Sequence, residues 1–84
     1  MKYLEILMDK SARAIFDDQE MISTAEEFLE NSLNVSETSR KLFLHRNTLM
    51  YRLDKIEKLT GLNLRNFSDA VTFRLITMLI RLTK

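Results

Sequence analysis

Apolar residues recur along this chain at three- and four-residue steps, with no sustained two-residue alternation bounded by turn residues, which predicts helices and no strands. A first helix over about Tyr3 to Phe16 gathers Leu4, Leu7, Met8 and Ile15 on one stripe, interrupted by Ser11. Asp17 or Asp18 then serves as N-cap, Asp17 standing at capping-box spacing from Glu20. A second helix over about 18–31 carries Met21, Ile22, Ala25, Phe28 and Leu29 inward. Asn31 and Asn34 punctuate the chain, and Asn34 or Ser36 caps a short helix ending near Leu42. After a tight turn at Leu44-His45-Arg46, a longer helix from about Arg46 to Thr60 turns Leu49, Leu53, Ile56 and Leu59 inward. Gly61, the only glycine, sits where a helix stop needs positive φ. Asn66 or Ser68 caps a last helix to about Leu82 that is apolar on nearly every side, with Val71, Phe73, Leu75, Ile76, Met78, Leu79, Ile80 and Leu82. Such a helix wants burial on more than one face. Phe28, Leu29, Phe67 and Phe73 are read as core. A second copy of the chain is expected against the last helix, through Phe73, Ile76, Leu79 and Ile80, with help from residues 3–16.

Composition agrees with an all-α fold, a small helical bundle of four or five helices. The chain has 84 residues, no proline and 45% hydrophobic residues, so one small domain over 1–84 is all that fits. With no cysteine, there is neither a disulfide framework nor a thiolate metal site, which suits a reducing compartment. No apolar run is long enough to span a membrane, and the N-terminus does not read as a secretory signal, so the chain is expected in the cytoplasm. His45 is the only histidine, and no acid–base pair, nucleophile or phosphate loop can be assembled, so neither an enzyme nor a metal or cofactor site is expected.

Charge changes the picture more. The net charge is only +1, but residues 1–39 hold three basic against nine acidic residues, a balance of −6. Residues 40–58 hold Arg40, Lys41, Arg46, Arg52, Lys55 and Lys58 against Asp54 and Glu57, a balance of +4, and residues 59–84 add +3. Positive charge gathered on one stretch is the footprint of a phosphate-facing surface. Oppositely charged faces that only keep the domain soluble would leave the same trace.

The basic stretch contains a helix-turn-helix, within Glu37 to Lys58 and over about 36–60 in all. Ser39 is the small residue that lets the second helix approach, Leu42 and Leu44 flank the turn, and Leu49 with Leu53 pin the second helix across the first. Such a pair pushes the second helix out as a ridge that can enter a major groove about 12 Å wide. The whole string from Asn34 to Glu57, with its core HRNTL-x-YRL-x-KIE followed by Thr60-Gly61-Leu62, resembles the C-terminal DNA-binding domain of PucR-type regulators. These are also called the purine-catabolism and sugar-diacid (CdaR-type) transcription factors. The likeness runs from near Thr24 to about Phe73, and the motif is more distantly similar to that of the factor for inversion stimulation. Phe43 stands where many helix-turn-helix motifs hold glycine, and Thr38 and Ser39 replace two common alanines. The resemblance implies a bacterial regulator of transcription, nucleoid-associated when bound. It also implies a C-terminal fragment of a longer protein, whose effector, if any, is bound by a region outside these residues. Purine or sugar-acid metabolism is the implied setting.

The expected DNA-contacting residues are Arg40, Lys41, His45, Arg46, Asn47, Thr48, Met50, Tyr51, Arg52 and Lys55, with Lys58 a further phosphate candidate. Arg46 can pair with guanine O6 and N7, and Asn47 with adenine N6 and N7. His45 and Thr48 serve either as helix caps or as contacts to DNA. Met50 and Tyr51 suit thymine methyls or a phosphate, and Tyr51 could equally pack on a neighbouring helix. Asp54 marks the edge of the contact or accepts from cytosine. Arg52 could instead bridge to an acidic residue of the first helices, and Glu37, Arg40 and Lys41 stand at spacings that allow plain surface pairing. The rival reading is a helical hairpin that docks onto a protein. Duplex binding that weakens steeply with salt separates the two. RNA binding lacks the exposed aromatic platform that single strands need.

Overall fold

The computed structural model describes residues 5–6 and 8–83, and it is all-α, with no strand among the described residues. From Lys10 on, five helices follow one another among the described residues: α1 (Lys10–Asp17), α2 (Gln19–Glu30), α3 (Val35–Leu42), α4 (Arg46–Thr60) and α5 (Phe67–Thr83). Of these, α4 packs against α1, α2 and α3 and is the hub of the bundle.

The first expected helix is divided. Glu5, Ile6 and Met8 are helical, but the Asp9 carboxylate accepts from the Ser11 and Ala12 amides at 2.8 and 3.2 Å and starts α1 afresh. A short acidic side chain satisfies two of the orphan donors of a new helix, and this outweighs continuity of the old one. The restart changes which residues face inward. Ile6 is buried and Met8 is exposed, the reverse of the expected stripe, while Ile15 is buried as read. Tyr3, Leu4 and Leu7 lie outside the described residues.

One residue joins α1 to α2. Asp18 donates its amide to the Ile15 carbonyl, closing α1, and its carboxylate accepts from the Glu20 and Met21 amides, opening α2. Asp18, and not Asp17, is therefore the cap. At the far end of α2, Ser32 and Leu33 both take positive φ, and the Leu33 amide reaches back to the Phe28 carbonyl. Asn34 then caps α3 through the Glu37 amide at 2.8 Å, and Asn66 caps α5 through the Asp69 amide at 3.2 Å. Gly61 ends α4 at φ 78°, where a Cβ would be penalised.

The core joins every helix except α3, whose Val35 packs at its margin. Phe16 and Phe73 stack with ring centroids 5.0 Å apart, and Phe28, Leu49, Leu53 and Ile56 complete the centre. Leu59, expected inward, is only partly buried, as is Leu29. The loop between α4 and α5 contributes Leu62 and Leu64, both fully enclosed. Their backbone is anchored by Thr60, whose hydroxyl donates to the Ile56 carbonyl and accepts from the Leu62 amide. Phe67 is not core but 76% exposed, at the first position of α5.

The expected self-pairing residues also need correction. Phe73, Ile76 and Ile80 are buried within the chain's own core, and only Leu79 of the four is exposed. The exposed apolar residues of α5 are Phe67, Val71, Leu75, Met78, Leu79 and Leu82. Among the described residues, no helix is long and apolar enough to cross a membrane.

Candidate nucleic-acid interface

The turn between α3 and α4 is three residues long, Phe43 to His45. Phe43 takes the left-handed conformation at φ 55° and ψ 38°. Its amide donates to the Arg40 carbonyl, and the Leu44 amide donates to the Ser39 carbonyl at 3.0 Å. This pair of reversed hydrogen bonds closes α3 as a glycine-ended helix would be closed. His45 follows in extended conformation and caps α4, its Nδ1 accepting from the Asn47 amide at 3.0 Å. Its cap role is therefore built in, and the rest of its ring is exposed.

Of the two small residues before the turn, Thr38 is the more deeply buried. Thr38 is fully buried, its hydroxyl donating to the Asn34 carbonyl at 2.7 Å. The Ser39 Oγ is buried without a hydrogen-bond partner. Leu42 and Leu44 are half-buried, and Leu49 and Leu53 are enclosed as expected.

The outward side of α4 then follows from its inward side. With Leu49, Leu53, Ile56 and Thr60 enclosed, Asn47, Tyr51, Asp54 and Lys58 succeed one another at three- and four-residue steps along the opposite ridge. All four are exposed, as are Arg46 at the tip of the helix and Lys55 beside the ridge. Met50 and Thr48 are half-buried on its flanks. Tyr51 is 63% exposed, so it does not pack into a neighbouring helix.

The basic residues divide into two groups. Arg52 lies on the inner side, only 17% of its side chain exposed, with Glu20 at 3.1 Å and the Thr24 hydroxyl at 2.8 Å. It ties α4 to α2 and is turned away from the ridge, the second of the two readings open to it. Arg40 pairs with Glu37 one turn away on α3, both partners partly exposed. Surface pairs of this kind contribute little and are readily exchanged. Among the described residues, no ion pair engages Lys41, Arg46, Lys55 or Lys58, and all four are exposed.

A residue outside the motif completes the surface. Arg65, from the loop after α4, holds Asp54 at 2.7 Å, reaches Glu57 at 3.8 Å and touches the Met50 sulfur at 3.9 Å. It sets a positive charge against the one carboxylate on the ridge, whose side chain stays 63% exposed. In sequence, the only hint was a basic residue shortly after the helix stop. The acidic excess of the first half is also partly accounted for, because Glu20, Glu26 and Glu30 of α2 face Arg52, Arg81 and Arg74.

Comparison with known proteins agrees with this geometry. The family described as PucR C-terminal helix-turn-helix domain matches residues 21–79. The chain is 33% identical to the purine catabolism regulatory protein of Bacillus subtilis over 96% of this chain and 15% of that protein. It is 66% identical to the carbohydrate diacid regulator of Escherichia coli over 38% of this chain and 8% of that protein. It is 38% identical to the DNA-binding transcriptional activator AdeR of Bacillus subtilis, over 66% of this chain and 13% of that protein. The chain thus spans well under a quarter of the length of these relatives. No solved structure matches it significantly. A match over more than half of the residues, including the whole α3–α4 pair, means that the chain belongs to the PucR C-terminal helix-turn-helix family.

Proposed function

We propose that this domain serves transcription regulation by binding double-stranded DNA, with the ridge of α4 in the major groove. The carrying observation is that ridge itself: an exposed helix tip behind a tight turn, with Lys41, Arg46, Lys55 and Lys58 around it and no ion pair on any of them among the described residues. Arg46 and Asn47 meet base edges, where their paired donors and acceptors match guanine and adenine. Tyr51 and Met50 offer apolar contact to thymine methyls. Lys41, Lys55 and Lys58 hold phosphates, joined by Arg40 once it leaves Glu37, and Thr48 and the His45 ring stand within reach of the backbone. Arg52 acts at one remove, by fixing the pose of α4 on α2.

Two copies pair, so that two ridges read half-sites about 34 Å apart on one face of the duplex. The setting is the bacterial cytoplasm, and any effector is recognised by residues other than these. Relatives named for purine catabolism and carbohydrate diacids support genes of small-molecule catabolism as targets.

The test is duplex binding, followed by fluorescence anisotropy as salt is raised, after selection of a preferred sequence from a random pool. Affinity falls steeply with salt, and Arg46→Ala loses about 1–3 kcal/mol on the selected site. A flat salt response, or Arg46→Ala binding as tightly as the wild type, overturns the reading.

A further inference from the structure

The outer face of α5 is apolar and uncovered. Val71, Leu75, Met78 and Leu82 are 42%, 51%, 49% and 82% exposed, diametrically opposite the buried Phe73, Ile76 and Ile80. Their spacing of four, three and four residues is that of a coiled-coil seam. It also reads the same in both directions. A second α5 running antiparallel about a two-fold axis between Leu75 and Met78 sets Val71 against Leu82 and Leu75 against Met78, at each end alike. Self-complementarity of this kind is what an isologous interface requires.

The relief of the face agrees with its pattern. At the N-terminal end of α5, a groove of about 490 Å³ opens between this helix and the end of α2, its apolar wall made by Leu29, Leu33, Phe67, Ala70 and Val71 and its remaining lining by Glu30, Ser32 and Arg74. At the C-terminal end, Leu82 stands out almost fully exposed. Antiparallel pairing brings each Leu82 to the mouth of the partner's groove. Parallel pairing would face groove with groove and leave both unfilled. The two cations beside the seam are already engaged, Arg74 with Glu30 at 4.0 Å and Arg81 with Glu26 at 2.6 Å. Antiparallel helices therefore bring ion pairs together along the flank, and no bare like charges. The exposed surface of Phe67, Leu79 and the seam is on the order of 600 Å² per copy, so a pair that covered all of it would reach about the 1,200 Å² lower bound of a specific interface.

We propose that this face is the self-association surface of the domain: a second copy docks antiparallel along α5, each Leu82 entering the partner's groove beside Val71. The proposal gives residues and direction to the pairing stated above, and it does not depend on DNA contact.

Sedimentation of the 84-residue chain without DNA, from micromolar to millimolar concentration, tests it. The wild type shows reversible monomer–dimer exchange. Leu75→Asp and Met78→Asp, which place a charge at the centre of the seam, weaken it on the order of 100-fold, with unchanged circular dichroism. A monomer at every concentration, or either variant dimerising like the wild type, overturns the proposal. Direction is read separately, using the absence of native cysteine. Chains carrying Val71→Cys and chains carrying Leu82→Cys are mixed and gently oxidised, and the products are weighed by mass spectrometry. The mixed disulfide pair clearly exceeds the half share that random pairing of equal amounts gives if the helices are antiparallel. Predominance of Leu82→Cys chains joined to themselves overturns it. A dimer that ignores every duplex would sink the DNA reading alone, and a monomer that binds DNA specifically would sink this proposal alone.

Discussion

Phe43 combines two unfavourable features: a non-glycine residue at positive φ, and an aromatic ring 94% exposed. The left-handed conformation costs an L-residue roughly 1–2 kcal/mol, whereas glycine there loses only its extra unfolded-state freedom, about 0.5–1 kcal/mol. Since the ring makes almost no packing contact, Phe43→Gly is expected to raise stability by about 0.5–1 kcal/mol, read as a higher urea midpoint at unchanged slope. A lower midpoint would mean that the ring is packed after all. Ser39 offers the complementary case. Its hydroxyl is buried beside the turn with no partner, so Ser39→Ala removes an unsatisfied group and raises helix propensity together. A gain of about 1 kcal/mol is expected in the same titration. Both residues lie at the turn that aims α4, so the protein forgoes stability in the very place that sets the ridge.

At the scale of the element, α4 was legible in sequence almost to the residue, because local chemistry marks both of its ends: His45 as cap and Gly61 as stop. The Asp9 break was not, since apolar periodicity runs through it and only the geometry of the cap reveals which register wins. Arg52 shows the limit for the site. Its sequence neighbours leave it open between a phosphate contact and a bridge to the first helices, because the partners that claim it, Glu20 and Thr24, stand some thirty residues away. Arg65 is the same lesson reversed, a residue outside the motif that folding returns to the ridge. The two kinds of cation on α4 are therefore separable by experiment. Arg52→Ala is expected to lower stability by about 1–2 kcal/mol, mostly through Thr24, the exposed Glu20 contributing little. Lys55→Ala is expected to leave stability within about 0.5 kcal/mol of wild type and to reduce the slope of log affinity against log salt by about one. Denaturation and salt titrations on the two variants, run side by side, must show these opposite signatures. An Arg52 variant of full stability with a reduced salt slope would return that residue to the DNA face.

For the whole molecule, the apolar surplus of α5 led the sequence reading to expect a second copy, but of the four residues it named only Leu79 is exposed. Periodicity shows that a helix is apolar all round without saying which face its own domain takes, and here Phe73, Ile76 and Ile80 go inward, leaving Val71, Leu75, Met78 and Leu82 outside. If those residues hold two copies together, the distance and angle between the two α4 ridges are set by a rigid α5 pair, and the pair reads DNA as one body. Half-site spacing then matters as much as half-site sequence. Inserting about five base pairs between the two halves of a selected site turns one of them through roughly half a helical turn, onto the opposite face of the duplex. Only one ridge can then engage, and affinity should fall to that of an isolated half-site. Inserting about ten base pairs restores the face but adds about 34 Å of separation, which a rigid pair cannot span. Both insertions should therefore bind alike, and both should match Leu75→Asp on the unaltered site. Competition binding with the three duplexes checks this, and recovery of full affinity at the ten-base-pair insertion would mean that the ridges are joined by something more flexible than two packed helices.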